Sequence, residues 1–244
     1  MTPQRRMLII ASVLIAAVSI AFVLRAAVFS IRNVRVVGIQ QLSWQDVARS
    51  AMLSPSSNYF NLNEDKIREG INSNRYLVYE RMETVFPNTL VLFVKERQPA
   101  ASINYIGISY IMADDGMILE KTKDLGKDAE LMTISGLDLR DIRTGSVPMS
   151  TRLTQMDTCI ALTRELRAQG FHPQIKDINL SEPTSVYLST TDGYSIHLGD
   201  GQQLRAKIGT VRAVLEECRR RGYSPGVIEA TIPGEATYRP VTLP

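Results

Sequence analysis

Reactive and metal-binding side chains are scarce in this chain of 244 residues, which has two cysteines, two histidines and a single tryptophan. There is no CxxC and no HExxH, and His172 and His197 alone supply imidazole, so a metal site built from the usual ligands has little to draw on. Gly199-Asp200-Gly201 falls between a predicted strand and helix but lacks the GxGxxG or GxxxxGK(S/T) pattern that cradles phosphate. Strong charge is missing too: the formal net charge is +3 and the pI about 8.9. With basic residues spread rather than blocked, that balance argues against a nucleic-acid partner. No internal repeat or low-complexity segment stands out.

What the sequence does carry is one uncharged, proline-free run, Met7 to Leu24. As a helix it would extend roughly 27 Å at ~1.5 Å per residue, close to the hydrocarbon thickness of a bilayer. Ala26 to Phe29 can prolong it past Arg25. Residues 7–29 therefore read as a transmembrane helix and residues 1–6 as a cytoplasmic tail. The rival is a cleaved secretory signal, because Arg5 and Arg6 form a basic start. Against it, the run exceeds the usual signal core, and Arg25 stands where a small-x-small cleavage site would be. Basic residues lie on both sides, with Arg25, Arg32 and Arg35 after the run, so counting them leaves orientation open. Ser12 with Ala16, and Ala17 with Ala21, are spaced to let a second helix approach closely.

The roughly 215 residues beyond the run have room for two modest domains. Ile31 to Val37 alternates and is rich in valine until Gly38 breaks it, which predicts a strand. Ser43 with Asp46 three residues on begins a short helix carrying Trp44, Val47, Ala48, Ala51 and Met52. After the turn-rich LSPSSNYFNLN, Asn63 followed by Glu64 and Asp65 opens a second helix with Ile67 and Ile71 inward. Leu77 to Phe86 and Thr89 to Glu96 read as strands joined at Pro87-Asn88.

That order of strand, helix, helix, strand, strand has VVGIQQLSWQDV at its front and FPNTLVLFVKERQPAA at its back, and it resembles the POTRA domain of the FtsQ/DivIB family of bacterial cell-division proteins. The specific features are the proline turn, the Thr-Leu-x-Leu-x-Val strand, the Glu96-Arg97 pair, and Pro99 followed by a small residue. Ile39 departs from the asparagine that often follows the glycine. The resemblance implies an α+β fold: a transmembrane helix, a POTRA (βααββ) domain over residues 30–98, and a mixed β-rich domain with two helices over residues 99–244. It also implies a non-enzymatic divisome scaffold without a cofactor, single-pass in the cytoplasmic membrane at the division septum, with its amino terminus inside and its carboxyl terminus outside. Such a scaffold would assemble and regulate septal peptidoglycan synthesis. The implied partners are FtsB/DivIC-like and FtsL-like single-span proteins and septal synthase components, with no nucleic acid and no small-molecule substrate.

In the second region, Ile108 to Glu120 reads as two strands about an Asp-Gly turn. Thr151 to Arg167 is a predicted helix with Leu153, Met156, Ile160, Thr163 and Leu166 on one side, stopped by Gly170. Val186 to Thr190 and Tyr194 to Leu198 form a hairpin about Asp192-Gly193. Gln202 to Arg221 is a long helix on Leu204, Ile208, Val211, Leu215 and Cys218, closed by Gly222. Val227 to Ile232 and Glu235 to Arg239 are two short strands about Pro233-Gly234. Cys159 and Cys218 fall at apolar helix positions, which favours buried thiols, although an extracytoplasmic disulfide stays open.

Several residue sets invite a functional reading. Asp114, Asp115, Asp192 and Asp200 could divide acid and base roles in hydrolysis of cell-wall glycans. Three of them precede glycine, and that is turn chemistry first. His172 and His197 read as solvated, and Arg205, Lys207, Arg212, Arg219, Arg220 and Arg221 as a helix's solvated face. A transport role for the POTRA domain would call for several copies or a barrel. The final strand is the best candidate for recognition, since a late strand often lies at a sheet edge whose free backbone groups can accept a strand from another chain. A covered or internal position is the competing expectation. The resemblance implies partner binding there, by position at Val227, Glu229, Thr231, Ala236, Thr237 and Tyr238. By analogy Trp44, Tyr59 and Phe60 would form a second docking surface on the POTRA domain, although core packing explains Trp44 equally well.

Overall fold

The computed structural model describes residues 3–53, 57–125 and 130–241. Residues 54–56 of the predicted turn-rich segment lie outside the described residues, as do the side chains of residues 3, 4, 6, 8 and 21–28. The chain divides into two compact units, Met1–Glu96 and Arg97–Pro244.

The first unit opens with helix α1 (Pro3–Val28), followed by β1 (Asn33–Val37), α2 (Trp44–Ser50), α3 (Glu64–Ser73), β2 (Leu77–Val85) and β3 (Thr89–Glu96). Helix α1 covers most of the predicted span, yet among the described residues no helix is long and apolar enough to cross a membrane. The remainder has the expected strand, helix, helix, strand, strand order. Strand β3 occupies the middle of a three-stranded sheet, parallel to β1 and antiparallel to β2. Both short helices start as the sequence predicts: Ser43 Oγ accepts the Asp46 N–H, and Asn63 Oδ1 accepts the Lys66 N–H, relieving donors that a helix start leaves unpaired. Val47, Ile67 and Ile71 then pack on Leu77, Leu90, Leu92 and Val94.

Gly38, just after β1, has φ +100, and any Cβ there would fall on the Val94 carbonyl. Only glycine fits this turn. Beside it, Glu96 continues the inward alternation of β3 and is buried. Its carboxylate accepts backbone N–H groups of Gln40 at 2.6 Å, Gln41 at 3.0 Å and Leu42 at 3.2 Å, fixing the loop that enters α2.

The second unit contains β4 (Pro99–Tyr105), β5 (Ile108–Ala113), β6 (Ile118–Thr122), β7 (Met132–Ser135), β8 (Leu139–Asp141), β9 (Met149–Ser150), α4 (Gln155–Ala168), β10 (Ile175–Asn179), β11 (Val186–Thr190), β12 (Ser195–Gly199), α5 (Leu204–Arg220), β13 (Gly226–Glu229) and β14 (Thr237–Pro240). Nine of these strands make one sheet in the order β14-β13-β12-β11-β10-β7-β4-β5-β6, while β8 and β9 pair separately. Apolar stripes of α4 (Met156, Cys159, Leu162, Leu166) and α5 (Leu204, Ile208, Val211, Leu215, Cys218) share one core with strand residues such as Ile134, Ile178, Leu188, Ile196 and Ile228.

Three expectations need correction. Helix α4 begins at Gln155 rather than Thr151, so Leu153 is not on its inward side but 92% exposed in the preceding turn. Lys207 is not solvated: its side chain is 1% exposed, and Nζ donates to the carbonyls of Leu198 (2.9 Å) and Asp200 (3.0 Å) and to Asp200 Oδ1 (2.7 Å). The ammonium is tolerated inside because each of its three donors has a partner. His197, third, is partly buried in a hydrogen-bonded network described below. Cys159 and Cys218 are both free and buried, and burial pushes the Cys159 thiol up to about 12, far from a reactive thiolate.

Candidate functional site

The last two strands arise where the sequence places them, but they are not equivalent. β13 is internal, parallel to β12 through Ser195↔Val227 and His197↔Glu229 and antiparallel to β14 through Val227↔Arg239 and Glu229↔Thr237. The expectation of a free backbone edge at Val227 and Glu229 is therefore wrong, because both neighbours of β13 are already in place. Thr231 and Ala236 flank the connecting turn outside the strands. The edge is β14, which carries Thr237 and Tyr238. In an antiparallel pair alternate residues turn their N–H and C=O groups toward the partner strand, so β14 directs the other half of its backbone groups outward. Pro240, at its end, suits an edge because it needs no ladder donor.

Side chains hold this edge on both faces of the sheet. On the helix side Tyr238 lies near-parallel to Tyr223, with ring centroids 5.4 Å apart, and its hydroxyl donates to the Ser224 carbonyl at 2.7 Å. Gly226 permits the approach, since a Cβ there would run into the Tyr238 ring and the Arg239 carbonyl. On the other face a polar line runs from Ser185, just before β11, across the three strands β12, β13 and β14. Ser185 Oγ lies 2.9 Å from His197 Nε2, and His197 Nδ1 lies 2.8 Å from Glu229 Oε2. Glu229 Oε1 in turn accepts from Arg239 at 2.9 Å. Tyr187 stacks on the imidazole with centroids 4.4 Å apart. These residues are register neighbours, Tyr187↔His197↔Glu229, so the line acts as a lateral strut that ends on β14.

Next to the edge, between α5 and β14, lies a shallow groove of about 380 Å³ whose lining includes Ala213, Val214, Cys218, Tyr223 and Tyr238. A segment added to β14 would find apolar surface there. The strut and the groove were not legible as site features, because His197 and Glu229 are 32 residues apart. The signals available were Gly226, the first residue of β13, and Tyr238 in β14.

The Asp-Gly carboxylates are dispersed over separate turns, and each is held by a cation. Asp115 pairs with Arg97 at 2.6 Å, Asp192 with Arg219 at 2.7 Å, and Asp200 with Lys207 at 2.7 Å. The Arg219 guanidinium, then the Thr190 hydroxyl, hold the Asp192 carboxyl below the usual carboxylate range; for Asp200 the Lys207 ammonium, then the Gln202 amide, do the same. A general acid at neutral pH needs the opposite shift. Among the described residues no group of three or more His, Cys, Asp or Glu side chains could hold a metal ion.

In the first unit the expected docking residues separate into two places. Trp44 is 52% exposed and lines a groove of about 490 Å³ beside β1, together with Arg32, Asn33, Val34, Arg35 and Thr89. Tyr59 and Phe60 instead join Phe29 and Phe86 in a ring cluster.

Comparison with known proteins adds an independent line. A family model described as POTRA domain, FtsQ-type, matches residues 29–97. The chain is similar to the cell division protein DivIB of Clostridium tetani, with 23% identity over 224 residues, covering 91% of this chain and 84% of that protein. It is also similar to the cell division protein FtsQ of Syntrophotalea carbinolica, with 20% identity over 196 residues, covering 79% of this chain and 67% of that one. A solved extracytoplasmic domain of DivIB from Geobacillus stearothermophilus aligns at 16% identity over 52% of this chain and 97% of its own, with a TM-score of 0.34. That last likeness is too slight to argue from.

Proposed function

Given that this chain belongs to the FtsQ/DivIB family of bacterial cell-division proteins, we propose that it is a non-enzymatic, single-span scaffold of the division machinery that captures partner proteins at strand β14. The observation that carries this reading is the open edge of the nine-stranded sheet at β14, braced by Tyr238 from one side and by Arg239 through Glu229 from the other. A preformed edge lowers the ordering cost that an incoming segment meets on binding. The partners proposed are FtsB/DivIC-like and FtsL-like proteins, each with one span, and septal synthase components. The uncharged run Met7 to Leu24 supplies the anchor, with the amino terminus in the cytoplasm and both units outside at the septum. Confinement to one membrane plane raises effective concentration, so several weak contacts reinforce one another.

Tyr238→Ala in the full chain tests the edge. It removes the stack on Tyr223 and the bond to Ser224, so β14 loosens while the core strands stay paired. Capture of an FtsB/DivIC-like partner should fall by at least about tenfold, a loss of ~1.4 kcal/mol, with the unfolding temperature of the second unit nearly unchanged. Undiminished capture would count against β14 as the site.

One observation favours a second reading. Ser185, His197 and Glu229 have the hydrogen-bond order of a nucleophile, a base and an orienting acid, which would suit a membrane-anchored hydrolase better than the Asp-Gly carboxylates do. Ser185→Ala separates the two: the scaffold reading expects normal division with this variant, whereas a hydrolase would lose its activity and the variant would fail to divide.

A further inference from the structure

Helix α1 passes into the rest of the first unit without a spacer. Its last residue is Val28, and the Phe29 carbonyl already accepts the Tyr59 N–H at 2.9 Å. Ser30 bridges Asn58, and the Ile31 N–H donates to the Ser57 carbonyl at 3.0 Å. The loop 57–60 is thereby fastened to the end of the helix. Four rings meet at this junction, with Phe29 centred 5.0 Å from Phe60, 5.5 Å from Phe86 and 6.4 Å from Tyr59. Phe29 and Tyr59 are partly buried, but core packing does not account for Phe60 and Phe86, which are 53% and 67% exposed, and Val85 beside Phe86 is exposed as well. The turn bearing Phe86 is tied to the same place, since the Arg32 N–H donates to the Asn88 carbonyl at 3.0 Å. Arg32 is itself an exposed cation.

Large rings left in water gather at the end of a segment that the proposed function reads as a membrane span, and aromatic residues favour the headgroup layer at such an end. We propose that Phe29, Tyr59, Phe60 and Phe86 form a membrane-interface foot that seats the first unit on the outer leaflet of the bilayer crossed by α1. The inference rests on the reading of α1 as a span and goes beyond it, because a span with a free linker would leave the unit at no fixed height. Seating fixes the height of this unit above the membrane and limits the directions from which a partner reaches it.

The test uses the full chain in vesicles of phosphatidylethanolamine and phosphatidylglycerol, with the native tryptophan removed by Trp44→Phe and a single reporter introduced by Phe60→Trp or Phe86→Trp. Both substitutions are at exposed aromatic positions and leave the core untouched. With brominated acyl chains in the lipid, each reporter should shift to the blue and lose most of its emission. A chain that floats with the vesicles but whose reporters remain unquenched and open to aqueous acrylamide overturns the foot and leaves the span standing. Failure to float with the vesicles overturns the span, and the foot with it. Reporters shielded from acrylamide yet unquenched by the lipid, with the shielding lost on dilution of protein in lipid, would mean that a second copy covers the rings, and that too overturns the proposal.

Discussion

Replacing Glu96 by glutamine should lower the unfolding temperature of the first unit by on the order of 10 °C, at ~4–8 °C per kcal/mol for a domain of this size. The carboxylate is buried at the end of β3 and accepts three successive amides, those of Gln40, Gln41 and Leu42. All three bonds reach Oε2, and the Gln41 N–H also reaches Oε1 at 3.2 Å, so a carboxamide oxygen at the Oε2 position keeps the three bonds without the charge and its NH2 then meets the Gln41 N–H. A hydrogen bond to a charged group contributes ~1.5–3 kcal/mol against ~0.5–1.5 kcal/mol for a neutral one, so losing the charge from three of them costs ~2–4 kcal/mol. Emission from Trp44, the single tryptophan, reports directly because the loop held by Glu96 leads into α2. Glu83→Gln serves as the control: Glu83 is exposed and paired with Arg81, and such pairs contribute little. If Glu96→Gln melted with the parent chain, Glu96 would not be what holds the loop. The Glu96-Arg97 pair thus has a separate structural reason in each unit, since Arg97 is bound to Asp115 in the second.

The second large effect is expected at Lys207. Lys207→Met keeps the aliphatic stem but removes the donors that satisfy the Leu198 and Asp200 carbonyls. The buried Leu198 carbonyl and the partly buried Asp200 carbonyl then go unpaired, at a cost of ~2–3 kcal/mol. For a unit of this size that is roughly a 5–10 °C fall in unfolding temperature. Lys207→Ala adds a cavity and should cost ~1–2 kcal/mol more. Asp200→Asn should do far less, because that carboxylate is about half exposed. Its effect also has a sign in pH. The carboxyl is held below its usual range in the fold, so its contribution is present above the unfolded value of ~3.9 and is lost as pH falls through the folded value. The variant and the parent should therefore converge in acid. Equal melting of Lys207→Met and parent at neutral pH would contradict the buried-donor account.

The Lys207 result also shows how a sequence signal can be misread. Counted from Leu204, the positions 207, 208 and 211 share one helical face, so periodicity alone puts Lys207 among Ile208 and Val211; its charge suggested the opposite. Asp200, seven residues earlier, makes that burial possible and was read first as a turn former and then as an acid/base candidate, not as a partner for Lys207. The first unit was legible almost throughout, because its strands alternate cleanly and its helices announce their starts with Ser43 and Asn63. In the second unit β4 was missed since Pro99–Tyr105 follows β3 with almost no break, and β7, at four residues, is too short for a period to stand out. β10 has the burial order of an irregular strand rather than an alternation. That β13 is internal could not be read locally: β12 and β13 pair across the whole of α5, and sheet order is set by such distant contacts. Leu153 looked inward only because the helix was begun two residues before Leu153 rather than two after it.

The central claim, that β14 offers its backbone to a partner, is tested most directly by amide hydrogen exchange on the full chain in vesicles with and without an FtsB/DivIC-like protein. The account predicts that alternate amides within Thr237–Arg239 become protected on partner addition, while the amides of β13 and of the opposite edge β6 keep their rates. Protection appearing at β6 instead, or a bound partner that leaves the β14 amides exchanging as before, would contradict it.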